Sequence, residues 1–191
     1  MTAPHETPLP GAAADVAAAL AARLPVLDSP RLRLRAPVLG DFDLWACIFC
    51  GPSGEHLGGP FDRDEAFTEF AAAMGLWLLR GHGPWTITDR DTGAALGFVL
   101  IGFEPGDQEP ELGWLLAPES EGQGLATEAA ALVLDHARTL GLPGLLSYID
   151  ADNPRSAAVA RRLGARRDAA AEAAVDDVCH AYRHFGPEIA A

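Results

Sequence analysis

Between Trp85 and Leu116 three strand-like runs follow one another, Trp85–Thr88, Ala95–Phe103 and Glu111–Leu116. They are joined by Asp89-Arg90-Asp91-Thr92-Gly93 and Pro105-Gly106-Asp107-Gln108, two joints of hairpin length and turn composition. Such a series predicts an antiparallel meander. A Gly-x-Gly follows, and a helical pattern starts at once, with Leu125, Ala129, Leu132, Val133, His136 and Leu140 on one side. Gly141 and Pro143 stop it. This passage from meander to glycine turn to helix constrains the fold more than any other feature.

The flanking segments extend the pattern. Arg31-Leu32-Arg33-Leu34-Arg35 alternates with the period of a half-buried strand. Asp41–Cys50 reads as a helix opened by Asp41 as cap and ended by Gly51 and Pro52. Asp62–Arg80 reads as a longer helix, with Ala66, Phe67, Phe70, Met74, Trp77 and Leu78 at spacings of three and four. Leu145–Ile149 is expected as a buried strand, Arg155–Leu163 as a short helix and Val178–Phe185 as a last strand. The fold class is α+β, with helices and a central mixed, mostly antiparallel sheet. Residues 26–191 form one domain without repeat or linker, and residues 1–25 an Ala/Pro-rich tail or loosely docked helix whose apolar face is nearly all methyl groups.

Composition narrows the chemistry. All 14 basic residues are arginine, so neither a lysine Schiff base nor a P-loop lysine exists in the 191 residues. A formal charge of -13 argues against nucleic acid and favours amine or otherwise cationic substrates. No apolar run approaches the roughly 20 residues that span a bilayer, so no membrane partner is expected. The N-terminus lacks a basic signal-peptide region, and the 3 cysteines do not make a disulfide framework. These features read as cytoplasmic.

The loop Pro118-Glu119-Ser120-Glu121-Gly122-Gln123-Gly124-Leu125-Ala126-Thr127-Glu128-Ala129 carries the chemistry. Its glycines let backbone approach a ligand, and the unpaired N–H groups of the helix start suit a phosphate or pyrophosphate. Each dipole interaction is worth about 0.3–1 kcal/mol, so several amides must act together. The plainer reading is a tight strand-to-helix turn. A dinucleotide fingerprint does not fit, because Thr127 stands where its third glycine belongs and a meander precedes the loop.

Gly122-Gln123-Gly124-Leu125-Ala126-Thr127-Glu128-Ala129 resembles the pyrophosphate loop of GNAT-superfamily N-acetyltransferases, in particular the RimJ/RimL-like branch of ribosomal-protein N-terminal acetyltransferases. Asn153-Pro154-Arg155-Ser156, followed by Leu163-Gly164-Ala165, resembles a second motif of that branch. Arg31–Arg35 and Glu111-Leu112-Gly113-Trp114 fit it too, and the likeness runs from about Pro30 to Phe185. Glu121 departs from the pattern, standing where an Arg or Gln is common.

The resemblance implies an α/β/α GNAT-like fold and acetyl-CoA as cosubstrate, without a metal, acetylating a primary amine on a protein N-terminus or a small molecule by direct attack. The pyrophosphate would rest on Gly122, Gln123, Gly124, Leu125, Ala126 and Thr127. The pantetheine arm would lie in a cleft between two splayed parallel strands, Glu111–Leu116 and Leu145–Ile149. Backbone N–H groups of Trp114, Leu115 and Leu116 would face the thioester carbonyl. Asn153 would bond pantetheine amides, and Arg155 would meet the 3′-phosphate.

Glu111 is the candidate base and Ser156 the candidate acid, each with a plainer role: a solvated strand start, and a helix cap or first-turn serine. The tyrosine that another branch places seven positions after the Asn is Ala160 here. A non-catalytic acyl-CoA-binding or regulatory module is the alternative reading, and dimers are common in similar proteins. Cys47 and Cys50 form one isolated pair, better read as buried small hydrophobes than as a redox or zinc site. His136 reads as a satisfied core histidine, and His56 and His82 as loop residues. Gly51–Asp62 reads as a mobile lid, with Trp45 through Phe67, Trp85 and Phe103 as walls of the acceptor site.

Overall fold

The computed structural model describes residues 3–175 and 178–187. Strand β1 (Leu27–Asp28), β2 (Leu32–Arg35), β3 (Pro84–Asp89), β4 (Ala95–Gly102), β5 (Glu111–Leu116), β6 (Leu145–Asp150), β7 (Arg166–Arg167) and β8 (Cys179–Phe185) build one sheet of order β1-β2-β3-β4-β5-β6-β8-β7. Every neighbouring pair is antiparallel except β5 and β6. The helices are α1 (Ala12–Ala21), α2 (Phe42–Phe49), α3 (Arg63–Arg80), α4 (Leu125–Thr139), α5 (Pro154–Arg162) and α6 (Ala169–Glu172).

The meander forms because its turns are locally determined. Asp89 accepts from Thr92 N and Thr92 Oγ1 on one carboxylate oxygen, and Gly93 takes the left-handed φ of 75° that closes the turn. Alternation along the strands then sends side chains to two cores. Trp85, Ile87, Val99, Ile101 and Leu112 meet Ala129, Val133 and Ala137 of α4. Phe98 and Leu115 meet Phe42, Trp45 and Phe49 of α2 and Phe70 of α3. Full burial of one such side chain is worth about 1.5–3 kcal/mol, so both faces of the sheet are strongly held. The result is helix, sheet, helix.

Helix α3 has a capping box: Asp62 accepts from Glu65 N, and Glu65 accepts from Asp62 N. Asp41 acts otherwise than as a simple cap. Its side chain does not bond the first turn of α2; it takes Arg35, Val38 N and Thr86 Oγ1 instead. Helix α1 buries no residue, yet Glu6 ahead of it is buried and ion-paired with Arg63.

Several expectations need correction. Cys47 and Cys50 are exposed, not buried, because α2 turns Phe42, Trp45, Ala46 and Phe49 inward and leaves these two positions on the solvent side. Leu78 is 78% exposed, since α3 outruns the core beyond Trp77. His82 lies in a loop, as expected, but is buried there, its Nδ1 2.9 Å from the Ile101 carbonyl oxygen. His136 packs edge-on against Trp85, but its Nε2 has no hydrogen-bond partner, so it is not satisfied. Trp85 is fully buried on the α4 side of the sheet and forms no wall of the cleft described below.

Candidate active site

The site begins where β5 and β6 part. Their parallel pairing consists of the register Glu111↔Leu146, with Leu146 N donating to the Pro110 carbonyl at 3.2 Å. A continued ladder would send the Tyr148 N–H to the Leu112 carbonyl. Two side chains replace that bond: Tyr148 N donates to Glu111 Oε1 at 3.0 Å, and Ser147 Oγ donates to the Leu112 carbonyl at 2.6 Å. The fork is thus pinned at its vertex and open beyond it.

Ladder alternation decides which amides face the opening. Ile101 N donates to Gly83 O on the β3 side, so Leu100 and Phe98 turn their backbone to β5, and Gly113 and Leu115 answer them. Trp114 and Leu116 therefore direct N–H groups into the fork. The Leu115 N–H points to β4 and stands away from it.

At the open end of β5 the chain passes through a short 3-10 turn, Pro118–Ser120, into the glycine loop. Gly122 and Gly124 hold φ of 74° and 78°, the left-handed region that side chains with a Cβ rarely adopt. Gly124 is the N-cap of α4, and no side chain caps that terminus. The first internal bond of the helix is Glu128 N to Gly124 O at 3.1 Å. The earlier amides point out of the helix end with its partial positive charge. Thr127 Oγ1 is buried there with no hydrogen-bond partner, on the wall of the cleft. Uncapped amides and an orphaned hydroxyl together fit a multiply charged anion.

The loop is held from behind. The Arg31 guanidinium pairs with Glu128 and donates to the Gln123 carbonyl at 3.3 Å, while Ser29 Oγ donates to Glu128 Oε1 at 2.6 Å. In front, Arg155 forms an ion pair with Glu121. The Glu121 charge is thus offset by Arg155, which is consequently not free to meet a phosphate on its own.

Asn153 caps α5, its Oδ1 accepting from Ser156 N at 3.0 Å. Both residues line the same cleft as the glycine loop and Glu111. The cap leaves the Asn153 amide nitrogen and the Ser156 hydroxyl for a ligand. The cleft has a volume of about 1770 Å³ and runs from Gly122–Thr127 through the fork to α2, α3 and the 3-10 turn Pro52–Leu57.

Beside Glu111 the cleft is lined by Glu104, Asp107 and Tyr148, which sequence reasoning passed over. Burial pushes the Glu111 carboxyl up to about 8, the Tyr148 N–H pulls it back, and Asp107 and Glu104 raise it further. Burial and the like charges of Asp107 and Glu111 raise the Tyr148 phenol to about 12, and its hydroxyl oxygen is buried without a partner. His56 Nδ1 lies 2.8 Å from Asp150 Oδ2, tying the 52–57 turn to the end of β6. With Asp152 this histidine and aspartate also form a group able to hold a metal ion, where the sequence reading saw none. Strand alternation would have put Tyr148 on the same sheet face as Glu111, given the pairing of β5 with β6.

Comparison with known proteins agrees with this geometry. The sequence matches the family model described as acetyltransferase (GNAT) domain over residues 31–166. The chain belongs to the GNAT acetyltransferase family. A crystal structure of the acetyltransferase from Agrobacterium tumefaciens str. C58 shares 36% identity over 85% of this chain and 95% of that one, with a TM-score of 0.80. The mycothiol acetyltransferase of Kocuria rhizophila is 33% identical over 86 residues, 42% of this chain but 28% of that relative. RimL, the ribosomal L7/L12 α-N-protein acetyltransferase solved in complex with coenzyme A, is 18% identical with a TM-score of 0.64, covering 83% of this chain and 95% of that one. At that identity it shows a shared fold alone.

The chain is therefore an acyltransferase of the GNAT family, with the glycine loop, the fork and α4 inside the matched residues. Ala160 is fully buried in the core beside Ile149 and Tyr182 and carries no group able to move a proton. Among the described residues no helix is long and apolar enough to cross a membrane.

Proposed function

We propose that this GNAT enzyme transfers the acetyl group of acetyl-CoA to a primary amine by direct attack in a ternary complex, in the manner of the RimJ/RimL-like branch and in the cytoplasm. The observation that carries the reading is the uncapped N-terminus of α4 at Gly124, opening onto the same cleft as Glu111. The amides of Gly124 to Thr127, with the Thr127 hydroxyl, take the pyrophosphate. The opened β5 edge takes the pantetheine arm, and the Trp114 and Leu116 N–H groups stabilise charge on the carbonyl oxygen as it develops.

The incoming ammonium gives one proton to the Glu111 carboxylate. Its neutral nitrogen bonds to the carbonyl carbon, the carbon–sulfur bond breaks, and the thiolate leaves. Ser156 supplies a proton to the sulfur and regains one from solvent or from the product nitrogen. A base of pKa about 8 exchanges protons efficiently near neutral pH. Asn153 and Arg155 serve as positioning residues, the latter by neutralising Glu121.

Calorimetric titration with acetyl-CoA, followed by thiol release over a panel of peptides and amines, tests the proposal. Binding without thiol release for any acceptor would instead favour a non-catalytic acyl-CoA-binding module.

A further inference from the structure

Beside the fork, strand β8 carries a histidine that the mechanism above leaves unused. Leu145 pairs with Phe185 and Leu146 with Arg183, so the register slips by one and His184 is the extra residue of β8. Its Nε2 lies 2.9 Å from Ser147 Oγ. Its Nδ1 is buried and has no hydrogen-bond partner among the described residues. Ser147 lines the cleft, and His184 stands behind it.

Donor counting fixes the direction of each bond. The Leu112 carbonyl can only accept, and Ser147 Oγ approaches it to 2.6 Å, so the hydroxyl proton lies between them. Ser147 can then only accept from His184, which puts the ring proton on Nε2. A second ring proton would strand a charged N–H on the partnerless Nδ1. Burial and the Arg138 guanidinium hold the ring down to about 4, so it stays neutral near pH 7. The relay ends at the fork. Leu112 is fully buried, so its carbonyl needs a donor. In parallel register the alternative donor is the Tyr148 N–H, which now goes to Glu111 Oε1. Were Tyr148 to turn to Leu112, β5 and β6 would zip one step further and Glu111 would lose its amide.

We infer that His184 is a positioning residue for acyl transfer: by fixing the Ser147 hydroxyl on the Leu112 carbonyl, it holds β5 and β6 apart and keeps the Tyr148 amide on Glu111. The ring acts through Ser147 alone. A serine hydroxyl by itself can rotate toward any acceptor; the Nε2–H closes that choice. The effect on ligand affinity rests on the reading of the fork as the acetyl-CoA site, whereas the hydrogen-bond relay does not.

The test joins calorimetry with acetyl-CoA to nuclear magnetic resonance of the ring. Proton–nitrogen correlation spectra of the unaltered protein should show His184 as the neutral Nε2–H tautomer; an Nδ1–H or doubly protonated ring at neutral pH would overturn the relay. Ser147→Ala should weaken acetyl-CoA binding about tenfold and His184→Leu about threefold to tenfold. His184→Gln, whose side-chain amide can stand where the Nε2–H stood, should recover most of that loss. The double variant Ser147→Ala/His184→Leu should bind no more weakly than Ser147→Ala alone. Additive losses, or unchanged affinity in His184→Leu, would overturn the role and leave the acetyl-CoA reading standing. If the variants do not fold, the tautomer in the unaltered chain decides. Absence of acetyl-CoA binding by the unaltered protein would sink the donor reading instead. The relay is then judged by the coupling across the Tyr148 hydrogen bond. That coupling should run to the Glu111 carboxyl carbon in the unaltered protein and move to the Leu112 carbonyl carbon in Ser147→Ala. A coupling that stays on Glu111 in that variant would overturn the relay.

Discussion

The Tyr148 amide donates to Glu111 Oε1 at 3.0 Å across the point where β5 and β6 separate. One carboxylate oxygen thus stands in for a backbone carbonyl, on a residue that lines the cleft. The same contact helps open the sheet and holds in place the carboxyl proposed above to accept the substrate proton.

Glu111→Gln should lower kcat/KM by about 10²–10⁴-fold, the usual contribution of a positioned base. In the unaltered enzyme the rate should rise with pH along a limb near 8, where Glu111 becomes a carboxylate. That limb should vanish in the variant while acetyl-CoA affinity persists. Folding stability should move the opposite way. Between the ordinary value of 4.5 and about 8 the folded state binds the extra proton, so stability falls as pH rises through that window. Urea titrations at several pH values should show a flatter dependence for Glu111→Gln.

Gly124→Glu should abolish acetyl-CoA binding. The substitution forces a side chain into a φ of 78° and puts a carboxylate at the uncapped amides. Gly124→Ala, which carries the backbone strain without the charge, should weaken binding by a smaller factor. Calorimetry on both variants separates the two contributions.

Arg155 and Glu121 should behave as a coupled pair. Arg155→Ala uncovers the Glu121 charge beside the loop and should weaken acetyl-CoA binding by about threefold to tenfold at low salt. Adding Glu121→Gln should restore most of the loss. A double-mutant cycle on the dissociation constant measures this; strict additivity would mean that Arg155 meets the ligand directly.

Much of this was legible before the fold was known, and the reason is locality. The meander turns and the glycines of the α4 entry are decided within a few residues, as Asp89 with Thr92 illustrates. The two-residue strands Leu27–Asp28 and Arg166–Arg167 carry no period long enough to read, and exist because β2 and β8 offer edges. Cys47 and Cys50 were misplaced because a short apolar helix does not reveal which face turns inward, and Leu78 because spacing does not reveal where a helix outlasts its core. The raised Glu111 and the unpartnered Tyr148 arise from contacts between β5, β6 and the turn at Asp107. No stretch of sequence holds all three.

The buried Asp41 gives a prediction on stability alone. Its carboxylate takes both Arg35 nitrogens at 2.7 Å, Val38 N at 2.9 Å and Thr86 Oγ1 at 2.8 Å. Burial opposes the charge, but Arg35 and the other donors outweigh it and hold the carboxyl below its ordinary value. Asp41→Ala strands Arg35 and should cost about 3–5 kcal/mol by urea unfolding. A depressed acid stabilises above its unfolded value and loses that contribution as pH falls through the folded one. The unaltered protein should therefore lose stability in strong acid more steeply than the variant.

The most direct measurement is a titration of the isotope-labelled protein with acetyl-CoA, following backbone amide resonances. Saturable shifts should concentrate at Gly122, Gln123, Gly124, Leu125, Ala126 and Thr127, joined by Trp114 and Leu116 and not by Leu115. Saturable binding that leaves the Gly124–Thr127 amides unmoved, or no binding up to millimolar ligand, would contradict it.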